Sequence, residues 1–104
     1  MRLYFLNPVF NKGTNLTCRK GIKWATATGK VPIYETGTEN FHGFANIIDV
    51  QVMPFNMLED EDLRYEHDPS CHDVRGLNDA MHGAYPNFDE RELVTLVYFD
   101  YKPE

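Results

Sequence analysis

Residues 15–20 read Asn-Leu-Thr-Cys-Arg-Lys, with apolar Leu16 and Cys18 alternating with Thr17 and Arg19. That period of two predicts a strand over about Leu16 to Arg19, with one dry face and one polar face. A first strand, Arg2 to Leu6, is ended by Asn7-Pro8. Val31-Pro32-Ile33-Tyr34 reads as a short strand, and its proline suits a sheet edge. Phe44 to Met53 is the longest alternating run. It sets Phe44, Ile48, Val50 and Val52 on one side and Ala45, Ile47, Asp49 and Gln51 on the other. Leu93 to Tyr101 is apolar on both faces, as a central buried strand would be. Two helical patterns precede it. Leu58 to Tyr65 has an apolar face with Glu59, Asp60, Glu61 and Asp62 outside, and Val74 to Ala84 carries Leu77 and Met81 on one face. The pattern predicts a small α+β fold: a curved sheet or barrel of five to six strands, with two helices inserted before the last strand.

At 104 residues the chain holds a single core and is read as one domain, 1–104. No apolar run approaches the roughly 20 residues that span a bilayer. The segment MRLYFLNPVFNKG lacks the apolar run and cleavage site of a signal peptide. The expectation is therefore a cytoplasmic protein that does not engage a membrane, although Asn15-Leu16-Thr17 fits the glycosylation sequon. Cys18 and Cys71 read as reduced thiols. His67, Cys71 and His72 lie close together but lack the remaining ligand of a structural zinc site, so no metal and no cofactor are expected.

Charge changes the picture. Net charge is −6, yet residues 1–34 hold six basic side chains and no acid, while all 16 carboxylates follow from Glu35 onward. Such segregation predicts a basic surface on an acidic protein, suited to an anionic partner such as a phosphate backbone.

Three groups from separate regions can build a polar pocket: the hydroxyl of Thr17, the guanidinium of Arg19 and the carboxylate of Glu66. At these residues the chain resembles the ASCH domain family, whose fold is a PUA-like β-barrel. NKGTNLTCRKG carries a Thr-x-Arg strand after a glycine and lysine turn, with Thr17 and Arg19 in the motif places. Gly29-Lys30-Val31 matches a glycine step into a strand, and LEDEDLRYE places Glu66 eight residues after Leu58. AMHGAYPNF and LVTLVYFDY match the closing helix and strand.

The resemblance implies a pocket for a nucleoside or RNA between barrel and helices. It is similar, too, to the small bacterial acetylcytidine amidohydrolases of the superfamily. There a threonine is the nucleophile, a lysine three residues earlier activates it, and a glutamate assists proton transfer. Thr17 and Glu66 occupy the threonine and glutamate places, but Thr14 stands at the lysine place. A threonine hydroxyl without an adjacent base is a poor nucleophile.

Binding of RNA or a modified nucleoside is therefore the first reading. Hydrolysis of an acylated cytidine or of RNA, with Thr17 and Glu66 catalytic, is the second. An adaptor role for the acidic helix is the third. Lys12, Lys20 and Lys23 join Arg19 as candidate RNA or ligand contacts, and Trp24 either stacks on a base or anchors the core.

Overall fold

The structure, a computed structural model, describes residues 1–103. Five strands form one mixed sheet: β1 (Leu3–Phe5), β2 (Thr14–Lys20), β3 (Gly29–Glu35), β4 (Phe41–Pro54) and β5 (Leu93–Lys102). Their order is β1-β3-β4-β5-β2; β1 runs parallel to β3 and every other pair is antiparallel. One α-helix, α1 (Val74–Ala84), lies between β4 and β5. β1 and β2 end opposite sides of this order, yet the Arg19 guanidinium carbon of β2 stands 4.7 Å from the centroid of Phe5 on β1. The sheet is thus curled on itself like a half-barrel.

Curling gives the sheet two cores. Inside the curl, Leu3, Phe5, Val31, Ile33, Ala45, Val97 and Phe99 pack together. On the other face, Leu16, Cys18, Val94 and Leu96 meet Leu63, Leu77 and Met81 from the region between β4 and β5. Each such aliphatic or aromatic side chain contributes about 1.5–3 kcal/mol on burial. β5 serves both cores by alternation, with Val94 and Leu96 on one side and Val97 and Phe99 on the other. It lies between β4 and β2, as its unbroken apolar sequence predicts.

Several expectations need correction. The acidic segment is not an α-helix. Only Asp60–Leu63 turns, as 3₁₀, while Glu59 and Leu58 are extended. Four successive carboxylates repel one another, and the outer core takes Phe55, Leu58 and Leu63 from separate 3₁₀ turns and the extended backbone between them. The turn is held instead by a capping box in which Asp62 accepts from the Glu59 amide at 2.9 Å. Further 3₁₀ turns cover Phe55–Met57 and Pro69–Cys71.

β3 is not an edge strand either. Pro32 is tolerated inside the sheet because β1 pairing begins only at Ile33 and the β4 register shifts between Pro32 and Tyr34. In β4 a second shift, between Ile47 and Asp49, breaks the predicted alternation. Ile48 and Val52 consequently face solvent. Among the described residues no helix is long and apolar enough to cross a membrane.

Candidate functional site

β2 ends the sheet, and its free edge is covered by a short non-local pairing. The Leu16 amide donates to Tyr65 O at 2.7 Å, and the His67 amide donates to Leu16 O at 3.0 Å. This parallel bridge sets Glu66 beside Leu16. An asparagine clasp fixes the same junction. Asn15, fully buried, accepts from the Asn11 amide at 2.7 Å and donates to the Asn11 and Gly13 carbonyls. Asn11 in turn donates to Tyr65 O at 3.1 Å. The sequon asparagine is therefore an internal structural residue.

Beside this junction opens a cleft of about 410 Å³. Its floor is Thr17 and Arg19 of β2 with Glu66 and His67; one wall is the end of β1, and the other is the Leu77, Ala80, Met81 and Ala84 side of α1, closed by Tyr85. Of the sequence-predicted residues, the cleft brings together Thr17, Arg19 and Glu66.

Arg19 dominates the charge. Its Nε donates to Thr17 Oγ1 at 3.1 Å, and its guanidinium lies against Phe5. Among the described residues it forms no ion pair, and its two terminal nitrogens make no hydrogen bond. Burial draws its pKa below the ordinary value, with Tyr85 and Glu66 acting the other way. An unpaired guanidinium in a largely apolar cleft is costly unless an anion completes it. Its two free NH₂ groups form the fork that fits a phosphate or carboxylate.

Glu66 and His67 form the second feature. Glu66 Oε1 lies 3.3 Å from His67 Nε2, while Oε2 is buried without a hydrogen-bond partner among the described residues. Burial pushes the Glu66 carboxyl up to about 8, against the Asp68 amide and Arg19, which favour the charged form. Burial likewise pulls His67 down to about 4, opposed by its hydrogen bond to Val9 O at 3.0 Å. At neutral pH the pair is a carboxylic acid beside a neutral imidazole. Nδ1–H donates to Val9, which leaves Nε2 as the acceptor for the Glu66 proton.

The remaining candidate residues are dispersed. Lys12 is exposed in the turn before β2, and Lys23 is exposed in the turn after it. Lys20 sits at the far end of β2 and pairs with Glu92 at 3.7 Å. None of the three lines the cleft. Arg2 just precedes β1 and Lys30 stands on β3, so the basic residues of the first third of the chain do not form one patch. Trp24 is 5% exposed and packs within the inner core, away from the cleft lining.

Sequence reasoning treats His67 as an ordinary loop histidine and passes over Phe5 and Tyr85. The adjacency of Glu66 and His67 is the one available signal. Chemically, the cleft offers a cationic fork, a hydroxyl, a proton donor and flat apolar walls. Among the described residues it offers no lysine amine to take the Thr17 Oγ1 proton, and the side chain hydrogen-bonded to that oxygen is Arg19. No protein family, curated protein or solved structure matches this chain.

Proposed function

We propose that this chain is an ASCH-type, PUA-like domain that binds a nucleoside or nucleotide unit of RNA in the cleft, without hydrolysing it. The observation that carries the reading is the Arg19 fork, free of any protein anion and aimed at no internal acceptor besides Thr17. A phosphate satisfies the fork. A base fits between the α1 side of the cleft and the aromatic Phe5 and Tyr85, and its polar edge meets Glu66, whose unpartnered Oε2 accepts while the proton is held toward His67. The Thr-x-Arg strand and the glutamate place support the same assignment.

Calorimetric titration with cytidine and cytidine monophosphate tests it. The monophosphate is expected to bind at least tenfold more tightly, about 1.4 kcal/mol, and Arg19→Lys to remove that advantage by losing the bidentate geometry. Absence of binding by either ligand at millimolar concentration, or an unchanged advantage in Arg19→Lys, would refute the reading.

The hydrolase reading retains one favourable observation, the proton-carrying Glu66 in the same cleft as Thr17. It lacks a base for the nucleophile, because Arg19, the group bonded to Thr17 Oγ1, is a donor only. Acetate release from acetylcytidine that stops in Thr17→Ala would replace the binding reading with this one.

A further inference from the structure

The outer face of β1, β3 and β4 carries chemistry that the cleft does not use. Leu3, Phe5, Val31, Ile33 and Ala45 point into the inner core, so alternation turns Arg2, Tyr4, Lys30, Tyr34 and Phe44 outward. Four rings there make a continuous row. Tyr4 and Tyr34 have centroids 5.9 Å apart, Tyr34 and Phe41 5.6 Å, and Phe41 and Phe44 5.2 Å. Phe41 is 39% exposed. Two cations lie on the row: the Arg2 guanidinium carbon 4.6 Å from the Tyr34 centroid, and Lys30 Nζ 4.3 Å from that of Phe44.

Neither cation forms an ion pair with a carboxylate among the described residues. The two acids that border the row are engaged. Glu39 accepts from the Tyr4 hydroxyl at 3.0 Å, and Glu35 lies 3.1 Å from His42 Nε2.

We propose that this aromatic row is a stacking platform for single-stranded RNA, with Arg2 and Lys30 holding its phosphates. Phe41, the exposed ring of the row, offers a surface to an unpaired base, and the exposed cations over Tyr34 and Phe44 can turn to a backbone; together these are the two elements of single-strand binding. A duplex offers no free base faces to such a row. A protein partner would have to desolvate Arg2 and Lys30 without a stated anion to meet them. The Tyr34 hydroxyl makes no hydrogen bond within the protein among the described residues, which leaves it for a ribose 2′-hydroxyl. Tyr4 also lines the cleft, so a strand crossing the platform arrives at the cleft mouth. The platform stands on its own residues and does not depend on the cleft reading.

Fluorescence anisotropy with a labelled uridine oligonucleotide tests the platform, with each variant first checked for a wild-type thermal melt. Phe41→Ala is expected to weaken binding about 5- to 150-fold, the loss for one stacked base. Arg2→Ala with Lys30→Ala is expected to flatten the log–log salt slope by about 1.4; these exposed side chains decide the matter if Phe41→Ala melts early. No oligonucleotide binding at low salt overturns the proposal, as does binding that ignores both the Phe41 and the paired cation variants. Loss of binding in Arg19→Ala with Phe41→Ala neutral overturns it while leaving the cleft reading intact. Oligonucleotide binding that persists when cytidine monophosphate fails to bind supports the platform and discards the cleft. Self-association in sedimentation that Phe41→Ala abolishes, without RNA binding, would make the row a homodimer face instead.

Discussion

The stability of this protein should fall on the alkaline side of neutrality, and one carboxyl should be responsible. Glu66 ionises near 4.5 in the unfolded chain and at about 8 when folded, because burial penalises its charged form. A carboxyl whose folded pKa is raised holds its proton better in the native state, so its stabilising effect is complete at low pH. That effect is lost as pH rises, because the unfolded chain alone releases the proton. His67 acts in the opposite sense: its pKa drops from 6.5 to about 4 on folding, so stability rises with pH across that interval. Between about 4.5 and 6.5 the two slopes cancel and stability is level. From 6.5 to about 8 only Glu66 acts, at about 1.4 kcal/mol per pH unit, for a loss of about 2 kcal/mol. Urea unfolding would register this as a midpoint lower by about 1 M or more at pH 8 than at pH 6.5, for an m-value of about 1–2 kcal/mol/M. Glu66→Gln keeps the shape and cannot ionise. Its midpoint should stay level above pH 6.5 and show the uncancelled His67 slope below it. A level wild-type profile from pH 6.5 to 8, or a Glu66→Gln profile that falls in parallel with the wild type, would refute the assignment of a neutral buried Glu66.

Asn15→Ala should cost about 1–3 kcal/mol in urea unfolding, because it strands the Asn11 amide and two carbonyls inside the protein. Two helical glycines should respond with opposite signs in thermal unfolding. A Cβ on Gly76 would collide with Ser70 O, so Gly76→Ala should lower the melting temperature, whereas Gly83→Ala meets nothing within 4 Å and should raise stability by up to about 1 kcal/mol. Cys18 and Cys71, pushed up to about 12 and 11 by burial, should react with a thiol reagent at pH 8 far more slowly in the folded than in the urea-unfolded protein. Equal rates would show that the thiols are exposed.

Local pattern locates the strands because period-two alternation is a property of neighbours, and β2 and β5 carry it clearly. It misplaces elements wherever a distant partner decides the outcome. Pro32 has the look of an edge residue, yet it sits inside the sheet because the short β1 stops one residue away. The acidic segment has helical spacing, but the outer core takes Phe55, Leu58 and Leu63 from turns and extended backbone instead. The basic residues fall in one stretch of sequence, and the curl of the sheet distributes them over the cleft, the ends of β2 and the outer face.

The same distinction governs the cleft. Thr17 and Arg19 share a strand face by spacing alone, which the sequence states directly. Glu66 reaches them only through the Leu16 bridge and the Asn11–Asn15 clasp, neither of which any periodicity encodes. Its chemistry is more remote still from its letter. A glutamate closing an acidic run is, by composition, one more ionised surface group. At 3% exposure, beside a neutral histidine and with one oxygen unpartnered, the same residue holds a proton at pH 7. That proton leaves Arg19 without a charged partner beside it, since the one ionised carboxylate on the lining, Asp68, is engaged by Ser70 and Asn7. The site therefore prefers an anion because of how deeply Glu66 is buried, and a substitution that hydrates Glu66 without touching Arg19 should weaken nucleotide binding by restoring the missing negative charge. Leu77→Ser on the cleft wall makes that change, and calorimetry at pH 6 and 8 should find its affinity deficit larger at pH 6, where only the wild-type carboxyl is still protonated.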